Sequence, residues 1–221
     1  MKLGSIALVI ALGFSSTAYA QFGGLLGGSK PAATADIGAQ VEAFNANSLL
    51  LNKAVGFALL QVKAALGSKE DMAAVKAKSE SLSKTTDAKE AGEIAGTILK
   101  DDKGAALALL KDKDAKAKME KLSPAMQQAV AKSLLAAGIA SLQMPALAKT
   151  GQNILSGAGS NPMNISKLLP VKTGLSSISD ALPVLPGLVA AGFQLMRDVK
   201  VDPGNPTADS KIVTGAVTLP E

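Results

Sequence analysis

The sequence predicts an all-α protein: an antiparallel bundle of about six to eight helices, with a disordered N-terminal lead-in and an irregular C-terminal tail. Three observations carry this. From Ala35 onward Ala, Leu, Lys, Glu and Gln dominate, all good helix formers. Apolar residues recur there at three- and four-residue steps. No alternating β-branched run appears before the C-terminus, so a sheet-based domain is not expected.

Residues 1–20 read as a cleavable export signal. Lys2 supplies the positive start, 6–14 an apolar run, and Ala18-Tyr19-Ala20 the small-x-small cleavage pattern. The run is too short to span a bilayer, which takes about 20 residues. The expected location is therefore the periplasm or the exterior of a bacterial cell. Residues 21–34, rich in Gly, read as a flexible linker; 35–200 form the helical domain and 201–221 an extended tail.

The first helix is expected over 36–66, with Ile37, Val41, Phe44, Leu51, Val55, Leu59 and Val62 on one side. Its middle, 49–60, is apolar on more than one face, which calls for burial on several sides or for a second partner. Gly67 marks its end, and Ser68 with Asp71 opens the next helix. The section 69–121 carries 12 Lys against 11 acids and reads as solvated helix exteriors. Within it, Asp87 and Glu90 form a capping box for a helix through Leu99. Asp101 and Asp102 suit the first turn of a further helix over 104–110. Ser123-Pro124 starts a helix to about Lys149, with Met126, Val130, Leu134, Ala137 and Leu142 inward and Pro145 expected to kink or end it. Beyond Thr150, Gly151, Gly157, Gly159, Pro162, Pro170, Pro183 and Pro186 divide the chain into short pieces. Of these, 168–182 looks partly helical, 186–199 helical, and 212–219 is the one plausible strand.

Composition closes several chemistries. The chain has no Cys and no His, and removing the signal also removes its only Tyr. Disulfides, thiolate nucleophiles, His-dependent triads and His or Cys metal sites are thereby excluded. No cofactor or metal is expected. The mature chain, at a formal charge of +4 once Lys2 is removed, holds its cations almost entirely as Lys, with Arg197 the single Arg. Without Arg forks or stacked aromatics, nucleic acid is not an expected partner.

Some motifs resemble catalytic ones. Ser81 and Lys84 fit S-x-x-K, Lys149-Thr150-Gly151 and Lys172-Thr173-Gly174 fit K-T-G, and Ser179-Asp180 gives two-thirds of S-D-N. Their order is wrong for a serine acyl-transferase, and Ala181 stands where Asn is needed, so a Ser–Lys hydrolase is a minor alternative. Glu90/Glu93 and Asp112/Asp114 have Lys neighbours and read as surface pairs. Gly92 and Gly96 give a small-xxx-small face that favours close packing against a neighbouring helix.

The functional expectation is a non-catalytic, exported binding protein acting through apolar inter-helix surface. A groove between 49–66 and 133–148, lined by Leu51, Val55, Phe57, Leu59, Leu134 and Leu142, would take a protein helix or an acyl chain. The alternative is a membrane-active or pore-forming bundle that inserts 183–196 through Leu188, Val189, Phe193 and Met196. By length and polarity, none of the three apolar stretches reads as a good transmembrane helix. Partners are thus a protein, a lipid or apolar ligand, or a second copy of the chain.

Overall fold

A computed structural model describes residues 37–158 and 165–220. The expected signal and lead-in, Gly159, Pro162 and Glu221 lie outside the described residues. The rest is an all-α bundle of seven helices: α1 (Ile37–Leu66), α2 (Met72–Lys84), α3 (Ala88–Lys111), α4 (Ala115–Glu120), α5 (Pro124–Ala158), α6 (Ile165–Ala181) and α7 (Leu185–Asp198). A short 3-10 turn, Lys69–Asp71, precedes α2.

The central element is α1, 30 residues and about 45 Å long. From Leu51 to Leu66 every residue except Lys53 and Lys63 is buried. It packs chiefly against α3 and α5, and also against α6 and α2. A helix apolar all round must be enclosed in this way, because one amphipathic neighbour covers only one stripe. Around it, α3 contacts α6 and α7, and α5 contacts α6 and α7.

Two expected breaks are absent. Helix α3 runs unbroken from Ala88 to Lys111, where a stop at Leu99 and a restart at 104 were expected. Its buried residues Ala91, Gly92, Ala95, Ile98, Leu99, Asp102, Ala106 and Leu110 form one helical stripe, and Asp102 occupies a core position in it. Helix α5 likewise passes through Pro145 and continues beyond Lys149 to Ala158. Met144, Leu147 and Ile154 are buried on both sides of the proline, so packing offsets the roughly 3 kcal/mol that proline costs inside a helix. Pro170 also lies inside a helix, α6.

The helix starts are capped at the expected residues, although Glu90 takes Thr85 Oγ1 instead of completing the box with Asp87. The Asp87 carboxylate accepts from the Glu90 amide at 2.9 Å, and the Ser123 hydroxyl from the Met126 amide at 3.3 Å. Gly67 ends α1 without a left-handed φ: a Cβ there would lie 2.5 Å from the Lys63 carbonyl oxygen.

Glycines inside helices set the closest approaches. A Cβ at Gly174 of α6 would lie 2.6 Å from Ser48 Oγ and 2.9 Å from the Phe44 ring. At Gly192 of α7 it would meet Leu134 at 2.5 Å, and at Gly151 of α5 it would meet Phe44 at 2.7 Å. Half of the small-xxx-small face works the same way: Gly92 sits against Asn52 and Thr173, whereas Gly96 faces open space.

The tail forms no strand: 212–219 is irregular, its polar backbone groups bonded by side chains rather than by a neighbouring strand. It packs on the bundle nonetheless, with Ile212 buried and Val217 and Leu219 half-buried against the core.

Gly174→Ala should therefore lower unfolding stability by about 1–3 kcal/mol through overpacking. Gly96→Ala, in open space within α3, should raise it by about 0.5–1 kcal/mol. Urea denaturation of the two variants checks both signs.

Candidate functional site

Four polar side chains of α1 are tied to other elements. Lys53, half-buried, donates to the Ser83 carbonyl at 3.2 Å, at the negative end of α2. Burial holds its ammonium below the ordinary lysine value. Asn52 donates to Ser48 Oγ at 3.3 Å and accepts from Ser177 Oγ of α6 at 2.6 Å. Gln61, 1% exposed, accepts from the Thr218 amide at 2.8 Å and donates to the Thr218 carbonyl at 3.0 Å.

Lys63 enters an ionic clamp. Its Nζ lies 2.8 Å from Asp102 Oδ1 and 3.6 Å from Asp71. Lys78 of α2 lies 2.7 Å from Asp102 Oδ2 and 3.1 Å from Asp101. Asp102, 3% exposed, thus joins α3 to both α1 and α2. Desolvation pulls the Lys78 ammonium down, but its hydrogen bonds to Asp102 and Asp101 outweigh that and leave it above its ordinary value. Asp71 is lowered by the Ser68 hydroxyl and then by Lys63. Asp112 is lowered mainly by the Asp114 amide.

The expected apolar groove is closed. Leu51, Val55, Phe57, Leu59 and Leu134 are all buried in the core, so the space between α1 and α5 is filled by their own side chains. Leu142, expected to point inward, is 49% exposed on the outer face of α5. Periodicity identified a packed seam and not an opening. Of the alternative set on α7, Leu188 and Met196 are buried, while Val189 and Phe193 are half-buried against the core. Two open depressions lie among the described residues: one of about 300 Å³ beside Lys63 and Asp71, and one of about 240 Å³ between α2 and the tail.

Each catalytic look-alike has a local structural role or none. Both K-T-G triplets are helical, in α5 and α6, and their glycines make the close approaches to Phe44. Ser81 and Lys84 are exposed on α2, and Lys84 faces Glu80 at 3.9 Å. Glu93 pairs with Lys89 at 3.4 Å, and Glu90 accepts from Thr85 Oγ1 at 2.5 Å. Asp112 accepts from the Asp114 amide at 2.8 Å and pairs with Lys118 at 3.6 Å. Among the described residues no group of three carboxylates could hold a metal ion.

The apolar helices themselves are the notable surface. By length and composition α1 and α5 could each cross a bilayer, which corrects the shorter spans read from the sequence. Their most apolar windows are 78% and 61% buried within the bundle. Helices α6 and α7, bent by 52° at their junction, pass the same test as a pair. The residues that sequence reasoning missed are Gln61, Asp102 and Gln143. The available signal was a single polar residue inside an apolar helical stripe.

Compared with protein-family models, curated proteins and solved structures, the chain matches none.

Asp102→Ala leaves Lys63 without its nearest carboxylate and should cost about 3 kcal/mol, the scale for breaking a buried pair. Lys89→Ala, on the surface, should cost under about 0.5 kcal/mol. Chemical denaturation separates them.

The pH profile has a fixed sign. Asp71 and Asp112, lowered in the fold, stabilise above the unfolded carboxylate range and lose that contribution as pH falls through it. Raised Lys78 stabilises until pH climbs through its folded value, whereas lowered Lys53 works in the opposite sense at alkaline pH. With no His in the chain, unfolding free energy should be nearly flat between roughly pH 6 and 9 and fall on acidification. Denaturant titrations across pH check the shape.

Proposed function

We propose that this is an exported, non-catalytic binding protein that keeps long apolar helices sheathed in water and engages a lipid bilayer through them. The observation that carries the reading is α1, a helix long and apolar enough to span a bilayer, enclosed on all sides by other helices of its own chain. Helix α5 repeats the pattern less completely. Apolar surface of that length has two favourable environments, a protein core and a hydrocarbon layer. Exchanging one for the other costs little in apolar transfer.

In this reading the cost of opening lies in the polar ties. Freeing α1 parts Lys63 from Asp102, Asn52 from Ser177 and Gln61 from Thr218. The mature chain's positive formal charge favours an anionic lipid surface. Exposed Arg197 near the end of α7 and Lys200 just beyond it follow the half-buried Val189 and Phe193, a suitable first contact for such a surface.

Vesicle leakage tests this. Micromolar protein should release dye from vesicles of mixed phosphatidylglycerol and phosphatidylcholine, and Asp102→Asn, which loosens the clamp around α1, should release it faster. Intact vesicles with both proteins would contradict the reading.

A further inference from the structure

The C-terminal segment lies on the helices as a bound peptide does. Its attachment begins at Lys200, whose φ of 60° places a non-glycine residue in the left-handed region directly after α7. Pro203 is buried, and Pro206 reaches Gly138 of α5 closely enough that a Cβ there would lie 3.1 Å away. A turn over 207–210, closed by the Ser210 amide on the Thr207 carbonyl at 3.1 Å, reverses the chain. The returning segment reaches Gln61, whose amide also meets Met126 of α5.

What holds this segment is unusual. Gln143, 5% exposed, donates to the Ala208 carbonyl at 2.8 Å and the Ser210 carbonyl at 2.9 Å. Gln61 exchanges a pair of hydrogen bonds with the Thr218 amide and carbonyl, as one strand residue would with another. Ser79 Oγ accepts from the Val217 amide at 3.3 Å. Three side chains from α1, α2 and α5 therefore bind five backbone groups of the tail. The tail's own side chains contribute less: Ile212 is buried, Val217 and Leu219 are half-buried, and Thr218 and Val213 are exposed. Beside Val217 and Leu219 the depression against Ser79 and Glu80 remains partly open.

We propose that Gln61, Ser79 and Gln143 form a binding site for an extended peptide, that residues 207–220 are its resident ligand in cis, and that the same segment of a second copy occupies it when the resident is released. The identity of the occupant follows from the sequence already seated there. Release is local, because the segment has no ladder or helix of its own and its loss leaves every helix–helix contact in place. The short connection 204–206 between the buried Pro203 and the turn, half-buried at Gly204 and Pro206 and exposed at Asn205, supplies the hinge that exchange of an identical element requires. Because the bonds go to backbone groups, the site selects an extended conformation first and side chains at Ile212, Val217 and Leu219 second.

The test uses the chain truncated after Pro206 and a labelled synthetic peptide of residues 207–221. The peptide should bind saturably at one per chain. Gln61→Leu in the protein, or N-methylation of the Thr218 amide in the peptide, should each weaken binding about tenfold or more. Thr218→Ala in the peptide should change it little. If truncation prevents folding, the full chain carrying a protease site across 204–206 replaces it, and the nicked tail should exchange with labelled peptide. A folded truncated chain that ignores the peptide, binding indifferent to both amide changes, or a nicked tail that never exchanges overturns the proposal.

Discussion

The enclosure of α1 is the constraint on which the rest of the molecule depends. Its apolar residues occupy every side over 51–62, so no two-layer packing could bury them. The hydrophobic effect drives the enclosure but is non-directional and does not choose which helix lies where. The polar ties make that choice. Asn52 is satisfied by α6, Lys53 by the end of α2, Gln61 by the tail and Lys63 by α3. Each carries a penalty if left unmade, because a buried donor or acceptor without a partner costs about 1–3 kcal/mol. The ties thus set the order of the helices around α1.

The second determinant is small side chains. With four Phe and no other aromatic over residues 21–221, bulk cannot fill wide gaps between helices. The helices instead come close at Gly56, Gly151, Gly174 and Gly192, where a neighbouring Leu or Phe side chain takes the room a Cβ would need. Such contacts recover dispersion energy through proximity rather than through large interlocking side chains. They also hold without any disulfide, which the absence of Cys requires.

Much of this was legible in the sequence. The start of α3 at Asp87 and of α5 at Ser123-Pro124 followed from cap chemistry, and the all-round burial of α1 followed from its composition. What failed did so for definable reasons. Helix α3 reads as two because a charged residue at 102 looks exterior unless its partners, 24 and 39 positions earlier, are known. Helix α5 reads as ending early because the local cost of Pro145 is visible in the sequence and the packing on both sides of it is not. Five of the six groove residues lie on the inward face and Leu142 does not; for those five, periodicity reports facing and cannot tell a filled seam from an open one. Gln61 and Gln143 passed unnoticed because their partners are 157 and 65 residues away.

Amide hydrogen exchange read by mass spectrometry tests the central claim most directly. If α1 is the enclosed element that everything else covers, amides over 51–62 exchange only through global unfolding, and those over 207–220 exchange far sooner through local opening. Exchange over 51–62 as fast as in the exposed helices α2 and α4 would contradict the account, because it would mean the bundle opens around its centre before its surface.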